Sequence, residues 1–366
     1  MTSSVECGDS SPLCCSSESA DKSAHSKPRL RALDLLRGIA VLVMVECHVF
    51  NALLAPEYRS AAWFGILNWL NGFVAPAFLL VSGAVMGINL QNRWDRGTGK
   101  MWRRIGQIFI VAYLLHLPTP FLWQFFGPRG PHLVALWTKM DILQCVAGSL
   151  AVILLLAPVS RTPRIHRGVC VALGILAATS AVPVAVWARG VSTPMWLLGY
   201  LWPTGIGVFP LVPWAAFPLI GVWLGPAIFS DVSRVQQTIR CVLAGIALLT
   251  AAQFMPAGQS YDAPFVFGRM GWLLLALGPC VWLDAPVKGT GWILQFGELS
   301  LWSYTVHLVI VYGSCMSLGL DSLKPRFSPA VAFPALALVL FVTAFVVNWR
   351  AKNLQRRAAL RMMPTK

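Results

Sequence analysis

Charge is scarce in this chain of 366 residues. Only 12% of them are Asp, Glu, Lys or Arg, about half the ~25% usual for a soluble domain. Acid is scarcer still, with 14 Asp and Glu against 29 Lys and Arg. No polar stretch between the apolar runs is long enough to make a separate soluble domain, which excludes an ordinary water-soluble enzyme. Residues 1–33 hold no apolar core of the kind a signal peptide needs, so they read as a disordered cytoplasmic tail, neither leader nor span. The nine cysteines show neither zinc-site spacing nor a disulfide framework, and no metal is expected. Cys14 and Cys15, in the tail, are either lipid attachment points or cysteines without a role.

What is present is hydrocarbon. The chain is 57% hydrophobic with a mean hydropathy of +0.65, and apolar runs of the ~20 residues that cross a bilayer recur along nearly its whole length. The expected fold is all-α: a polytopic membrane domain over 34–349 and a basic cytoplasmic tail over 350–366. Hydropathy and Gly/Pro punctuation give ten spans, near 34–55, 68–90, 105–126, 140–158, 168–188, 205–229, 241–256, 269–283, 292–316 and 330–349.

With both termini in the cytoplasm, the basic residues of the tails, of 93–104, of 161–167 and of 234–240 all fall inside. Arg59, Arg129, Lys139, Arg189, Arg269, Lys324 and Arg326 fall outside, a bias that supports this orientation. The net charge of +15 is then topology, with affinity for anionic lipid headgroups, and nucleic acid is not an expected partner. Tryptophans near the span ends fit interfacial anchoring. The sixth span is broken by Pro203, Pro210, Pro213, Pro218 and Pro226 and thinned by Gly205, Gly207, Gly221 and Gly225. It either lines a pocket or packs closely on a neighbour.

The first span, "LDLLRGIAVLVMVECHVF", carries Asp34, Arg37, Glu46 and His48. At 100° per residue, Arg37 and His48 lie only ~20° apart around the helix and ~16 Å apart along it. Asp34 and Asn51 fall within about 60° of that face, whereas Glu46 points roughly opposite. A charge at mid-span costs about 2.5–3.5 kcal/mol on insertion scales, so such groups usually face a bundle interior and carry a function. The alternatives are bland: Arg37 snorkelling to headgroups, Asp34 capping, His48 bonded to a neighbouring helix, and Glu46 kept protonated or paired. His116 and His307 lie at comparable depth and could converge with His48, or be structural.

"RLRALDLLRGIAVLVMVECH", "FVAPAFLLVSGAVMG", "DILQCVAGSL", "PLVPWAAFPLIGVWLG" and "GELSLWSYTVHLVIVYG", in this order across 29–313, resemble the transmembrane acyltransferases related to heparan-alpha-glucosaminide N-acetyltransferase. The Arg37-to-His48 spacing also resembles the first-helix signature of acyltransferase family 3. The resemblance implies an enzyme that moves an acetyl or other short acyl group from cytosolic acetyl-CoA to a sugar hydroxyl or amine of a glycan or glycolipid. Arg37, with Asp34 beside it, would hold a donor phosphate. His48 would be the general base or, in a ping-pong variant, a transiently acetylated group, with Glu46 orienting it. Asn51, His116, Asp141, Gln144 and His307 would hold the acceptor. One departure stands out: in the animal lysosomal branch the catalytic histidine follows this helix, and here Leu53 to Leu67 contains none.

A bacterial inner membrane is the expected location. Two other readings remain open. A transporter or flippase for a lipid-linked sugar would use the buried charges as a path, although no repeat between the halves is evident. A purely structural membrane partner would leave the cost of Arg37 and Glu46 unexplained.

Overall fold

The structure is a computed structural model that describes residues 30–94, 97–190, 199–201, 208–230, 232–256, 262–283, 291–324 and 326–362. Residues 1–29 of the tail expected over 1–33, together with Pro203, Gly205 and Gly207 of the sixth span, lie outside the described residues, and residues 31–33 of that tail belong to the first helix.

The regular structure of the described residues is helical apart from a hairpin of two two-residue strands, β1 (Gly313–Ser314) and β2 (Ser317–Leu318), and one isolated bridge between Leu54 and Phe327. The helices are α1 (Arg31–Leu53), α2 (Ala62–Asn71), α3 (Val74–Asn92), α4 (Gly99–Leu115), α5 (Gly130–Trp137), α6 (Ile142–Leu156), α7 (Pro163–Thr179) and α8 (Ala181–Arg189). Further along the chain come α9 (Leu211–Trp214), α10 (Ala216–Phe229), α11 (Arg234–Gln253), α12 (Ala263–Leu283), α13 (Gly291–Glu298), α14 (Ser300–Tyr312) and α15 (Pro329–Met362).

Five of these segments, with α2 and α3 taken as one and α9 and α10 taken as one, are long and apolar enough to cross a membrane. Two bent pairs, α5 with α6 (65°) and α7 with α8 (56°), raise that to seven. The chain is a multi-pass membrane protein by this measure.

Helices overlap each of the ten sequence-expected spans, but α1, α4 and α13 with α14 are not among the five to seven that this measure passes, and several differ in extent. The third was expected to run to 126, yet α4 stops at Leu115. The reason is "HLPTP": Pro118 and Pro120 cannot donate to a helix ladder and bias the residues before them to extended backbone. The ninth divides at Leu299 (φ −106°, ψ 31°) into α13 and α14.

The helix with the ionisable residues is the hub. α1 packs against α3, α12, α13, α14 and α15, and two glycines allow α13 to lie on it backbone to backbone. A Cβ at Gly38 would run into the Ile293 carbonyl, and one at Gly297 into that of Asp34. The remaining sixth-span glycines do the same for α10 and α3: Gly221 and Gly225 face the carbonyls of Leu80 and Ala84, while Gly83 and Gly87 face those of Pro218 and Val222. Of the two readings for that segment, close packing is the one observed, as small residues permit within a membrane.

Candidate active site

Arg37 is 15% exposed and is held through one nitrogen of its guanidinium. Its Nη1 donates to Asp34 Oδ1 at 3.4 Å and, at 3.5 Å, to the carbonyl oxygen of Gly297, the residue whose missing side chain brings α13 this close. Beside it opens a cavity of about 370 Å³ walled by α3, α4, α6 and α14. Arg37, Arg93, Lys100 and Arg104 bring four positive charges to it, and Phe78, Val85, Ile105, Ile108, Ile142 and Val146 make its walls apolar. A cationic rim on an apolar shaft suits a ligand with an anionic end and a slender, weakly polar arm.

Tyr304, on α14, lines the same cavity and stands between it and a pair of histidines. Its ring stands edge-on to His307, with centroids 5.7 Å apart. His307 has no exposed surface. Its Nδ1 lies 2.6 Å from the Ser303 carbonyl oxygen, which can only accept, so Nδ1 carries the hydrogen and Nε2 keeps its lone pair. That Nε2 is buried without a hydrogen-bond partner. A buried polar atom without a partner is costly, and a role in chemistry is one of the few reasons to keep one.

His48 stacks on His307 at 5.4 Å between ring centroids, inclined by 29°. Its Nδ1 is 3.0 Å from the Tyr312 hydroxyl oxygen. Tyr312 itself is half-exposed. Neither His48 nor His307 lines the Arg37 cavity, from which Tyr304 separates them.

The other expected site residues sit as follows. His116, expected midway along a span, is the residue that ends α4. Its Nδ1 lies 2.9 Å from the Ala112 carbonyl and its Nε2 lies 3.1 Å from Asp141 Oδ2. With acceptors on both sides, the ring is satisfied when both nitrogens carry hydrogen. Asp141 uses its other oxygen to cap α6, accepting from the Ile142 N–H at 2.7 Å. The pair clasps the end of α4 to the start of α6, and the Asp141 carboxylate is within electrostatic reach of His48, Tyr304 and Tyr312.

Gln144 is fully buried with both side-chain polar atoms unpartnered. Asn51 is exposed and donates to Cys47 Sγ at 3.4 Å. Glu46 points away from the imidazoles, with Asn71 as its side-chain partner and Oε1 buried without one. The structure thus brings together Arg37 with Asp34, His48 with His307, and His116 with Asp141.

Sequence reasoning did not single out Tyr304 and Tyr312. Their signal was available: both lie on the helix of His307, three residues before it and five after. Arg93, Lys100 and Arg104 were read only as topology, although their spacing on either side of one short loop could have suggested a shared mouth.

A family model described as "Heparan-alpha-glucosaminide N-acetyltransferase, catalytic" matches residues 29–253, more than half of the chain. No curated protein matches it. The matched region holds Arg37, Glu46, His48, the cavity-lining residues of α3, α4 and α6, and the His116–Asp141 clasp. Tyr304, His307 and Tyr312 lie beyond it.

Proposed function

The chain belongs to the heparan-alpha-glucosaminide N-acetyltransferase catalytic family, and from that premise we propose that it is an integral membrane acyltransferase. It takes an acetyl or other short acyl group from acyl-CoA and transfers it to a sugar hydroxyl or amine of a glycan or glycolipid. The single observation that carries this reading is the basic-mouthed cavity beside Arg37, whose wall residue Tyr304 stands against His307, itself stacked on His48.

The residues present fit acyl-CoA. Arg37, Arg93, Lys100 and Arg104 are placed to hold its phosphates, and guanidinium forks suit phosphate oxygens because they donate two parallel hydrogen bonds. Asp34, bonded to Arg37, fixes the direction of that fork. The apolar shaft accepts the pantetheine arm, and its length matches the ~16 Å rise from Arg37 to His48 along α1. The bound donor supplies a thioester carbonyl.

His48 is the proposed base. With Nδ1–H donated to the Tyr312 hydroxyl oxygen, its Nε2 is free to take the proton from the acceptor as that oxygen or nitrogen bonds to the acyl carbon. The carbon–sulfur bond breaks, and the proton passes from the imidazolium to the leaving thiolate. His307, stacked on the same imidazole, offers a second unprotonated Nε2 as an alternative acceptor for the proton. The donor side corresponds to the cytoplasm, in keeping with positively charged loops at that end. Among the described residues no group of three His, Cys, Asp or Glu side chains is placed to hold a metal ion.

The test is direct. Full-length protein in detergent, given acetyl-CoA and a panel of amino sugars and oligosaccharides, should release free CoA and yield a product heavier by one acetyl group. His48→Ala should abolish both without lowering the yield of folded protein. Full turnover in that variant removes His48 from the chemistry. Uptake of a sugar into proteoliposomes without any CoA release would replace the whole reading with transport.

A further inference from the structure

A second cavity lies on the other side of α1. It is a groove of about 220 Å³ between α1, the α2–α3 segment and α12, and its lining is apolar throughout. It is separate from the Arg37 cavity, because neighbouring residues face opposite ways: Leu36 and Ala77 line the groove while Arg37 and Phe78 line the cavity. α1 and α3 are the partition between the two. Ile39, Trp69, Leu70 and Trp272, all groove residues, are well exposed, so the groove opens sideways on the surface that a multi-pass protein turns to the bilayer.

One cation stands at its end. The Arg269 guanidinium lies 4.2 Å above the ring of Phe73, and its Nη1 donates to the Trp69 carbonyl oxygen at 3.2 Å. Phe73 and Trp69 both line the groove, as does Trp272, one helical turn beyond Arg269. Among the described residues no carboxylate comes within ion-pair distance of Arg269. It also lies at the end of α3 opposite the basic rim, on the side where the sequence places few positive charges. An arginine in such a position is costly without an anion, and the faces of Phe73 and, at 5.6 Å, Phe265 with one carbonyl leave most of its donors free.

We propose that this groove binds an anionic phospholipid, with one acyl chain against Leu36, Ala77 and Trp272 and the headgroup phosphate against the Arg269 guanidinium. Charge complementarity selects the occupant: the groove supplies apolar contact to any chain, and the unpaired guanidinium supplies the preference for a net negative headgroup. The cation–π contact with Phe73 holds the fork over the mouth of the groove.

The experiment needs no assumption about catalysis. Full-length protein, stripped of lipid in detergent, is titrated with short-chain phosphatidylglycerol or phosphatidylcholine while its thermal unfolding is followed. The apparent affinity for phosphatidylglycerol should be about fivefold higher, the ratio that one basic residue near a membrane surface provides. Arg269→Gln can still donate to Trp69 and should erase that ratio while leaving phosphatidylcholine binding in place. Arg269→Lys, which keeps the charge, should retain part of it. Ala276→Phe, which fills the groove, should weaken both lipids. Equal affinity for the two lipids in the unmodified chain, or an unchanged ratio in Arg269→Gln, overturns the proposal. Should Arg269→Gln not fold, undiminished binding in Ala276→Phe does so by itself.

Discussion

His48 and His307 stack with ring centroids 5.4 Å apart, and each is tethered differently: His307 to its own helix through the Ser303 carbonyl, His48 to the phenol of Tyr312. The first tether fixes a tautomer because a carbonyl can only accept. The second does not, since a phenol both donates and accepts. His307→Gln should therefore cut kcat while leaving the KM for the acyl donor nearly unchanged, because it removes a buried base without touching the Arg37 cavity. Positioned proton transfer contributes about 10²–10⁴-fold, and a loss in that range is expected for His48→Gln also. Tyr312→Phe, which keeps the ring contact and frees the His48 tautomer, should lie between these variants and the unmodified chain. Steady-state kinetics at saturating acceptor separates the cases, and a His307→Gln enzyme within threefold of full kcat would leave that imidazole a packing role.

Arg37 should act on donor binding. Arg37→Ala is expected to raise the KM for acyl-CoA by 10-fold or more, matching the ~1.5–3 kcal/mol of a hydrogen bond to a charged group, with a smaller change in kcat. Arg37→Lys should recover only part, since an ammonium lacks the planar fork held by Asp34 and Gly297. Salt is the second measurement: KM should rise with ionic strength in the unmodified enzyme and less steeply in Arg37→Ala. A KM insensitive to both would place the donor elsewhere.

These two regions were unequally legible in the sequence. The stripe on α1 is a local, periodic feature, so the shared face of Arg37 and His48 follows from 3.6 residues per turn alone. The stack of His48 on His307 joins helices at opposite ends of the chain and cannot be counted off; depth only suggested it. Glu46 shows the limit differently. Its face was legible, opposite Arg37, but its partner Asn71 was not, since nothing in α1 says which helix covers that side. The end of α4 at Leu115 was written in Pro118 and Pro120, and hydropathy overrode it because the residues beyond them are again apolar.

The contact of α13 on α1 gives a packing prediction. Any Cβ at position 297 meets the Asp34 carbonyl, so Gly297→Ala should push α13 outward and move the carbonyl that Arg37 bonds. Overpacking of this kind costs about 1–3 kcal/mol. A lowered unfolding temperature together with a raised donor KM is the expected result. Gly106→Ala is the control, because nothing lies within 4 Å of a Cβ there, and it should be neutral or slightly stabilising within the helix. Equal behaviour of the two variants would show that the α1–α13 contact yields.

Membrane orientation can be read from reporters. The charge bias expects both termini in the cytoplasm around ten spans, with the Arg37 rim on the cytoplasmic side. A cytoplasm-active fluorescent reporter fused after Lys366 should be bright, and a reporter that works only outside the cytoplasm should be silent there and active when inserted between Arg59 and Ala61. The reverse pattern would place the basic rim, and any donor it holds, on the wrong side for a cytosolic acyl-CoA.

The pair of His116 and Asp141 separates a structural clasp from a binding site. Its members are 17% and 23% exposed, so the charge pair is partly screened and is worth less than a fully buried one. If it chiefly holds α4 to α6, Asp141→Asn and His116→Gln should each lower stability by about 1–2 kcal/mol and the double variant by less than their sum, since residues in one contact couple. The acceptor KM should stay within about threefold in all three. If Asp141 instead grips the acceptor, that KM should rise about tenfold in Asp141→Asn whether or not His116 is present, and stability should show no coupling. Thermal unfolding and acceptor titration of the same four proteins decide between the two, and the N-cap bond from Ile142 to Asp141, which asparagine also makes, keeps the comparison free of a lost cap.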